Sequence, residues 1–124
     1  MTPLVSSYDA ALFDLDGVIY LGPNAIDGVA GSLAQLRERG IRLGFVTNNA
    51  ARTPTAVAEH LRELGIRADD SDVVNSTQAM VRMLRKELPT GATVLVVGID
   101  ALASQLADGG FVPVSTLEEN PVAV

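Results

Sequence analysis

Short apolar runs alternate with segments of helical period along this chain, and that alternation limits the possible fold more than any other feature. Ala10-Ala11-Leu12-Phe13 is an apolar run that stops at acidic residues and a glycine, the behaviour of a buried parallel strand. In residues 26–39, Ile26, Val29, Leu33 and Leu36 recur at helical spacing, and Gly40 stands where a helix would end. Arg42-Leu43-Gly44-Phe45-Val46 predicts a second buried strand that runs into the polar turn Thr47-Asn48-Asn49. Thr53 and Pro54 supply a cap and a first helical position, with Val57, Leu61 and Leu64 as the buried stripe and Gly65 as the stop.

The pattern continues. Val73-Val74 predicts a very short strand, and Ser76 a cap for a third helix with Met80, Met83, Leu84 and Leu88 inside and Arg82, Arg85 and Lys86 outside. Pro89 ends that helix. Thr93-Val94-Leu95-Val96-Val97, bounded by Gly91 and Gly98, reads as the clearest strand of all, and residues 101–108 as a helix with Leu102 and Leu106 inward before Gly109-Gly110. Strands alternating with helices of this length predict βαβ units, a parallel sheet and right-handed crossovers, hence a doubly wound, Rossmann-like α/β domain. Beyond Phe111 the pattern is less regular. Pro121-Val122-Ala123-Val124 reads as the opening of another strand, so the chain is expected to be a truncated piece.

A chain of 124 residues with 48% apolar and 19% charged residues can build a core, and one domain is expected. The formal charge of −6, without a Lys/Arg cluster, disfavours non-specific binding to nucleic acid. The absence of cysteine excludes a disulfide framework and a thiolate zinc site. The first nine residues lack a basic start and an apolar stretch of signal-peptide length, and no run approaches the roughly 18 apolar residues of a membrane span. No membrane partner is expected, and the simplest location is cytoplasmic.

Ligands of open α/β sheets bind outside the carboxyl ends of the strands. Asp14, Asp16 and Gly17 follow the first strand; Thr47, Asn48 and Asn49 follow the second. Two carboxylates two residues apart can divide labour, one attacking phosphorus and the other moving protons, where their environments separate them. Two such charges beside a phosphate dianion repel one another, so a hard divalent cation with oxygen ligands is called for, and magnesium is the natural choice. Gly17 permits close approach of the backbone, while the Thr47 hydroxyl and Asn48 amide can donate hydrogen bonds to phosphate oxygens.

Phe13-Asp14-Leu15-Asp16-Gly17-Val18-Ile19-Tyr20 resembles the first signature of the haloacid dehalogenase superfamily, and Phe45-Val46-Thr47-Asn48-Asn49 resembles its second. The Thr-Asn-Asn form resembles the branch that holds the nitrophenyl phosphatases, phosphoglycolate and glycerol-phosphate phosphatases and NagD-like proteins. The likeness extends through Val73-Val74-Asn75-Ser76 and Val94-Leu95-Val96-Val97-Gly98 to about Phe111. It implies a three-layer core fold and a phosphatase that acts on small phosphorylated metabolites through an aspartyl-phosphate. Asp14 is then the nucleophile and Asp16 the acid and base, with magnesium held by Asp14 and by Asp16 through its backbone carbonyl. Thr47 holds the phosphoryl group with the amides of Leu15, Asp16 and Asn48, in a phosphate-binding set that also takes in Gly17 and Asn49. Residues 18–22 form a small mobile flap beside the site. The family's lysine, its later acidic motif and the inserted cap have no match here, so residues 1–124 are expected to be the N-terminal part of a core domain, with the first strand at an exposed edge of the sheet.

Taken alone, Asp-x-Asp-Gly is a turn former about as often as a site, and Asn48-Asn49 is an ordinary turn; the combination is what points to chemistry. His60 borders the stripe of Val57, Leu61 and Leu64 and reads as a partly buried structural residue. Asp100 reads equally as a helix cap or as a pocket residue, and the methionines as packing. Two other functions compete with the phosphatase. One is a non-catalytic remnant that binds phosphate weakly and self-associates as a homo-oligomer. The other, a response-regulator receiver, fits poorly because the strand at Val94 ends without an acceptor aspartate.

Overall fold

Helices in the first half of this chain stop where a glycine lets the backbone turn left-handed and return an apolar residue to the core. In the computed structural model, which describes residues 1–124, the order is β1 (Ala10–Asp14), β2 (Tyr20–Leu21), β3 (Asn24–Ala25), α1 (Val29–Glu38), β4 (Arg42–Thr47), α2 (Pro54–Glu63) and β5 (Val73–Asn75). After α1, Gly40 at φ 79 donates to the Arg37 carbonyl and Ile41 to that of Leu36. After α2, Gly65 at φ 79 donates to Arg62 and Ile66 to Leu61. This is the Schellman arrangement, and the residue after each glycine, Ile41 or Ile66, is buried. The sequence reading placed both stops correctly. It began α1 too early, because Gly28 at φ 80 interrupts the helical path and leaves Ile26 outside.

The chain divides into two compact units, residues 1–47 with 54–74 and residues 48–53 with 75–124. In the first unit the sheet order is β1-β4-β5, and β1 pairs with β4 in parallel, Phe13 beside Phe45 and Asp14 beside Val46. One face of this sheet carries the core: Leu43 and Phe45 pack with Leu33 of α1, Val57, Ala58 and Leu61 of α2, and Ile66 and Ala68 beyond it. The other face leaves Leu12, Val46 and Val74 exposed, Leu12 at 75%, and β1 lies at the edge, as expected.

The second unit holds α3 (Ser76–Glu87), β6 (Thr93–Leu95), α4 (Asp100–Asp108) and β7 (Val112–Val114). β6 does not join the sheet of the first unit. It pairs in parallel with β7, and Ala123 bridges to Val94, with Leu95 donating to the Ala123 carbonyl at 2.8 Å. The terminal apolar run makes one isolated β-bridge at Ala123 and is not a strand, whereas β7 was not expected, because Pro113 in its middle removes a backbone donor and argues against a strand. Val81, Val94, Leu106 and Phe111 form the core of this unit, and Gly110 at φ 95 ends α4 by the Schellman device of the first unit.

Two details of α3 differ from the sequence reading. Met83 is 67% exposed, because the buried line runs through Thr77, Val81 and Leu84, and Met83 lies about 200° around the helix from Val81. The cap is Asn75, not Ser76. Asn75 Oδ1 accepts from Gln78 N at 2.8 Å, Gln78 Oε1 accepts from Asn75 N at 3.0 Å, and Asn75 Nδ2 donates to Gln105 Oε1 at 2.7 Å and to the Arg52 carbonyl at 3.1 Å. Asn75→Ala removes the cap and leaves buried polar partners unmet, so a loss of about 2–3 kcal/mol is expected in denaturant unfolding. Asn75→Ser, which keeps a capping acceptor, should lose about 1 kcal/mol less. No helix is long and apolar enough to cross a membrane.

Candidate active site

The end of β1 alternates inward and outward with the period of an extended chain. Leu15 is fully buried at 0% exposure, while Asp14 and Asp16 on either side of it are exposed. A single anchored leucine thus holds two carboxylates in solvent. Beyond Leu15 the chain folds back on itself: the Leu15 carbonyl accepts from Val18, Ile19 and Tyr20 N–H, and Gly17 N–H donates to the Tyr20 carbonyl at 2.8 Å. Gly17 sits at φ 81, a conformation that side-chain-bearing residues rarely adopt, which accounts for glycine at this turn. Within the expected flap, residues 18–22, Ile19 and Tyr20 are buried and Val18, Leu21 and Gly22 exposed, and β2 and β3 close the segment as a hairpin.

Asp14 Oδ1 accepts a hydrogen bond from Leu15 N–H at 2.8 Å. The Leu15 amide is therefore engaged by the nucleophile candidate itself, and its side chain serves the core. Gly17 N–H is likewise used by the turn. Thr47 ends β4 one residue past the Asp14 and Val46 pair, at the same end of the sheet as Asp14, and is 4% exposed.

Asn48 and Asn49 follow Thr47 in the chain and belong to the second unit. Both are exposed. The Asn48 carbonyl accepts from Ser76 Oγ at 3.1 Å, and Asn49 Oδ1 accepts from Ala51 N–H at 2.8 Å, so the Asn49 side chain forms the turn that such residues ordinarily form. Asp100 is exposed as the first residue of α4, whose N-cap Ile99 makes no side-chain bond. In the second unit Glu119 is held below the usual carboxylate range, first by the Ser115 backbone N–H, then by the Thr116 hydroxyl and the Thr116 N–H. It stabilises a local turn.

No three acidic or histidine side chains come together as a complete metal cage. What the first unit offers is an exposed Asp14 carboxylate and the Asp16 oxygens, a hard donor set. That set fits magnesium, which binds through one or two carboxylates and takes its other ligands from water and phosphate.

One arrangement beside the site was not foreseen. His60 of α2 lies edge-on to Tyr20, ring centroids 4.8 Å apart, and its Nε2 is 3.1 Å from the Gly22 carbonyl. The half-buried character of His60 was expected; its partners were not, because no hairpin was read at residues 20–25. The dipeptide Gly22-Pro23 was the available signal.

The paired carboxylates stand at the carboxyl end of β1 in a parallel α/β unit, the place where open sheets of this class bind their ligands. Residues 11–112 match the model of the haloacid dehalogenase-like hydrolases, and the chain belongs to that family. It is 43% identical over 124 residues to the D-glycerol 3-phosphate phosphatase of Mycobacterium tuberculosis, covering all of this chain and 34% of that protein. It is 40% identical to the glycerol-3-phosphate phosphatase of Gallus gallus, over 87% of this chain and 35% of the other. Among solved structures, a glycerol phosphate phosphatase of M. tuberculosis in complex with magnesium superposes with a TM-score of 0.88 at 42% identity, over 98% of this chain and 36% of that one. NagD of E. coli K-12 gives 0.73 at 28% identity, over 86% and 41%. The chain spans about a third of the length of these two curated relatives.

Proposed function

We propose that this chain carries the nucleophile-bearing part of a magnesium-dependent phosphatase that hydrolyses small phosphate monoesters, with glycerol phosphates and sugar phosphates as the substrate class. The observation that carries the reading is the pair of exposed carboxylates, Asp14 and Asp16, held on either side of the buried Leu15 at the carboxyl end of β1. The names of the relatives, glycerol-3-phosphate phosphatase and acid sugar phosphatase, support the substrate class.

In this mechanism a carboxylate oxygen of Asp14 attacks phosphorus and the bond to the ester oxygen breaks, while Asp16 gives its proton to the departing alkoxide. Water then attacks the aspartyl-phosphate. Asp16 takes the proton, the acyl-phosphate P–O bond breaks, and inorganic phosphate leaves with Asp14 restored. Thr47 steadies the phosphoryl oxygens, joined by the backbone N–H of Asp16, while the Gly17 turn lets the backbone approach. Magnesium, held by the Asp14 carboxylate and the Asp16 carbonyl, supplies charge that offsets the repulsion between nucleophile and phosphate. On this reading the lysine and second acidic group of the family come from residues beyond this sequence, which is then the N-terminal part of a core domain.

The test uses p-nitrophenyl phosphate and glycerol 3-phosphate with the longer protein that contains these residues. Release of phosphate should require magnesium, cease on chelation and return when the metal is restored. Absence of turnover, or turnover indifferent to chelation, overturns the reading. A second reading, self-association of a non-catalytic chain, is favoured by the edge position of β1 and by exposed Leu12, Val46 and Val74. Sedimentation of the 124-residue chain decides it: a monomer at all concentrations excludes self-association, and turnover by the short chain excludes the non-catalytic part.

A further inference from the structure

Tyr20 is the residue through which the hairpin after β1 grips the Asp16 backbone. Its N–H donates to the Leu15 carbonyl at 3.3 Å, its carbonyl accepts from Gly17 N–H at 2.8 Å, and it forms a β-bridge with Asp16 itself. Both residues that flank Asp16 are therefore tied to Tyr20. The Tyr20 ring is buried, and it meets the edge of the His60 ring at an interplanar angle of 75°. The same imidazole reaches the tip of the hairpin. A carbonyl can only accept, so His60 Nε2 carries the proton and donates to the Gly22 oxygen at 3.1 Å. On its other side, Nδ1 is 3.7 Å from Glu63 Oε2, and the side chain is only 13% exposed.

A histidine with its ring in a T-shaped contact with Tyr20, one nitrogen on the hairpin tip and the other toward its own helix has little freedom left. It fastens residues 20–25 to α2. Besides the burial of Ile19 and Tyr20 and the bond from Ile26 N–H to the Ile19 carbonyl, only two residue pairs join β2 to β3, too short a ladder to be stable alone.

We propose that His60 is a positioning residue for Asp16: through Tyr20 and the Gly22 carbonyl it holds the hairpin, and the hairpin holds the backbone on both sides of the proton-transferring carboxylate. His60 itself touches neither substrate nor Asp16 side chain. The catalytic half of this inference rests on the phosphatase reading, whereas the clamp on the hairpin stands without it.

Two measurements separate the two. In hydrogen exchange of the 124-residue chain, His60→Ala should speed the amides of Gly17 and Tyr20 roughly tenfold while those of β4 and α2 keep their rates. His60→Gln, which can still donate to the Gly22 carbonyl, should recover most of the protection, and His60→Phe, which keeps a ring against Tyr20 without a donor, should recover less. In steady-state assays of the longer protein, His60→Ala should lower kcat roughly tenfold and raise KM, because the displaced Asp16 segment carries both the proton-transferring carboxylate and a backbone N–H assigned to phosphate, and His60→Gln should restore most of both. Unchanged Gly17 and Tyr20 exchange in His60→Ala overturns the clamp. Faster exchange with an unaltered kcat overturns its role in catalysis. Wild-type protein without any turnover overturns the phosphatase reading alone, and the exchange data then still decide the clamp.

Discussion

Asp14→Asn is expected to reduce turnover by about four orders of magnitude or more, the scale on which removing a covalent nucleophile acts. An amide oxygen does not attack phosphorus as a carboxylate does, and the substitution also removes one charge from the proposed magnesium site. The fold should be indifferent. Asp14 is exposed, and its one internal bond, Oδ1 accepting from Leu15 N–H at 2.8 Å, is equally available to the asparagine carbonyl. Unfolding midpoints of the two proteins should therefore agree while phosphate release differs. A stable variant that retains turnover would remove Asp14 from the reaction; a variant that has also lost stability would indicate a structural role instead. Asp14→Glu should fail almost as completely, because one added methylene displaces the attacking oxygen from the strand end.

The largest effect on stability is expected at Phe45. It lies in β4, the middle strand of its sheet, at 0% exposure, packed beside Phe13 with ring centroids 6.4 Å apart. Phe45→Ala should cost about 3–5 kcal/mol, from lost apolar burial and from a cavity that the sheet cannot close. That approaches the whole stability of a small domain. Val46, the next residue, points to the exposed face, and Val46→Ala should stay within about 1 kcal/mol. Urea unfolding followed by circular dichroism measures both, since the chain has no tryptophan for fluorescence. Equal losses at the two positions would mean that the second face of the sheet is covered in solution.

Much of the first unit was legible from local pattern. The run before Asp14, the stripe of Val57, Leu61 and Leu64, and the glycines that end α1 and α2 all act through neighbours in sequence, so their meaning survives without knowledge of the fold. The candidate site was legible for a similar reason: Asp14, Leu15 and Asp16 alternate sides within one extended segment, and the anchoring of Leu15 in the core dictates where both carboxylates point. Errors fell where two patterns compete over one position. Asn75 and Ser76 are both good caps, and only the reciprocal bonds with Gln78 choose Asn75. Met83 is apolar and close to the helical stripe, yet the packing against α4 and β6 selects Val81 and Leu84 instead.

By itself the sequence determined the alternation of strands and helices, the turn at Gly17 and the pair of acidic groups after β1, because each depends on interactions within a few residues. Tertiary structure alone decided three things. β6 pairs with β7 and the segment at Ala123 rather than with the sheet of β1, β4 and β5. The chain forms two units. His60, 38 residues from Gly22, fastens the hairpin beside Asp16. An apolar run announces that it will be buried against something, and a histidine that it will seek polar partners. Which strand or carbonyl satisfies them depends on what the folded chain brings within reach, a relation between distant residues that no local pattern encodes.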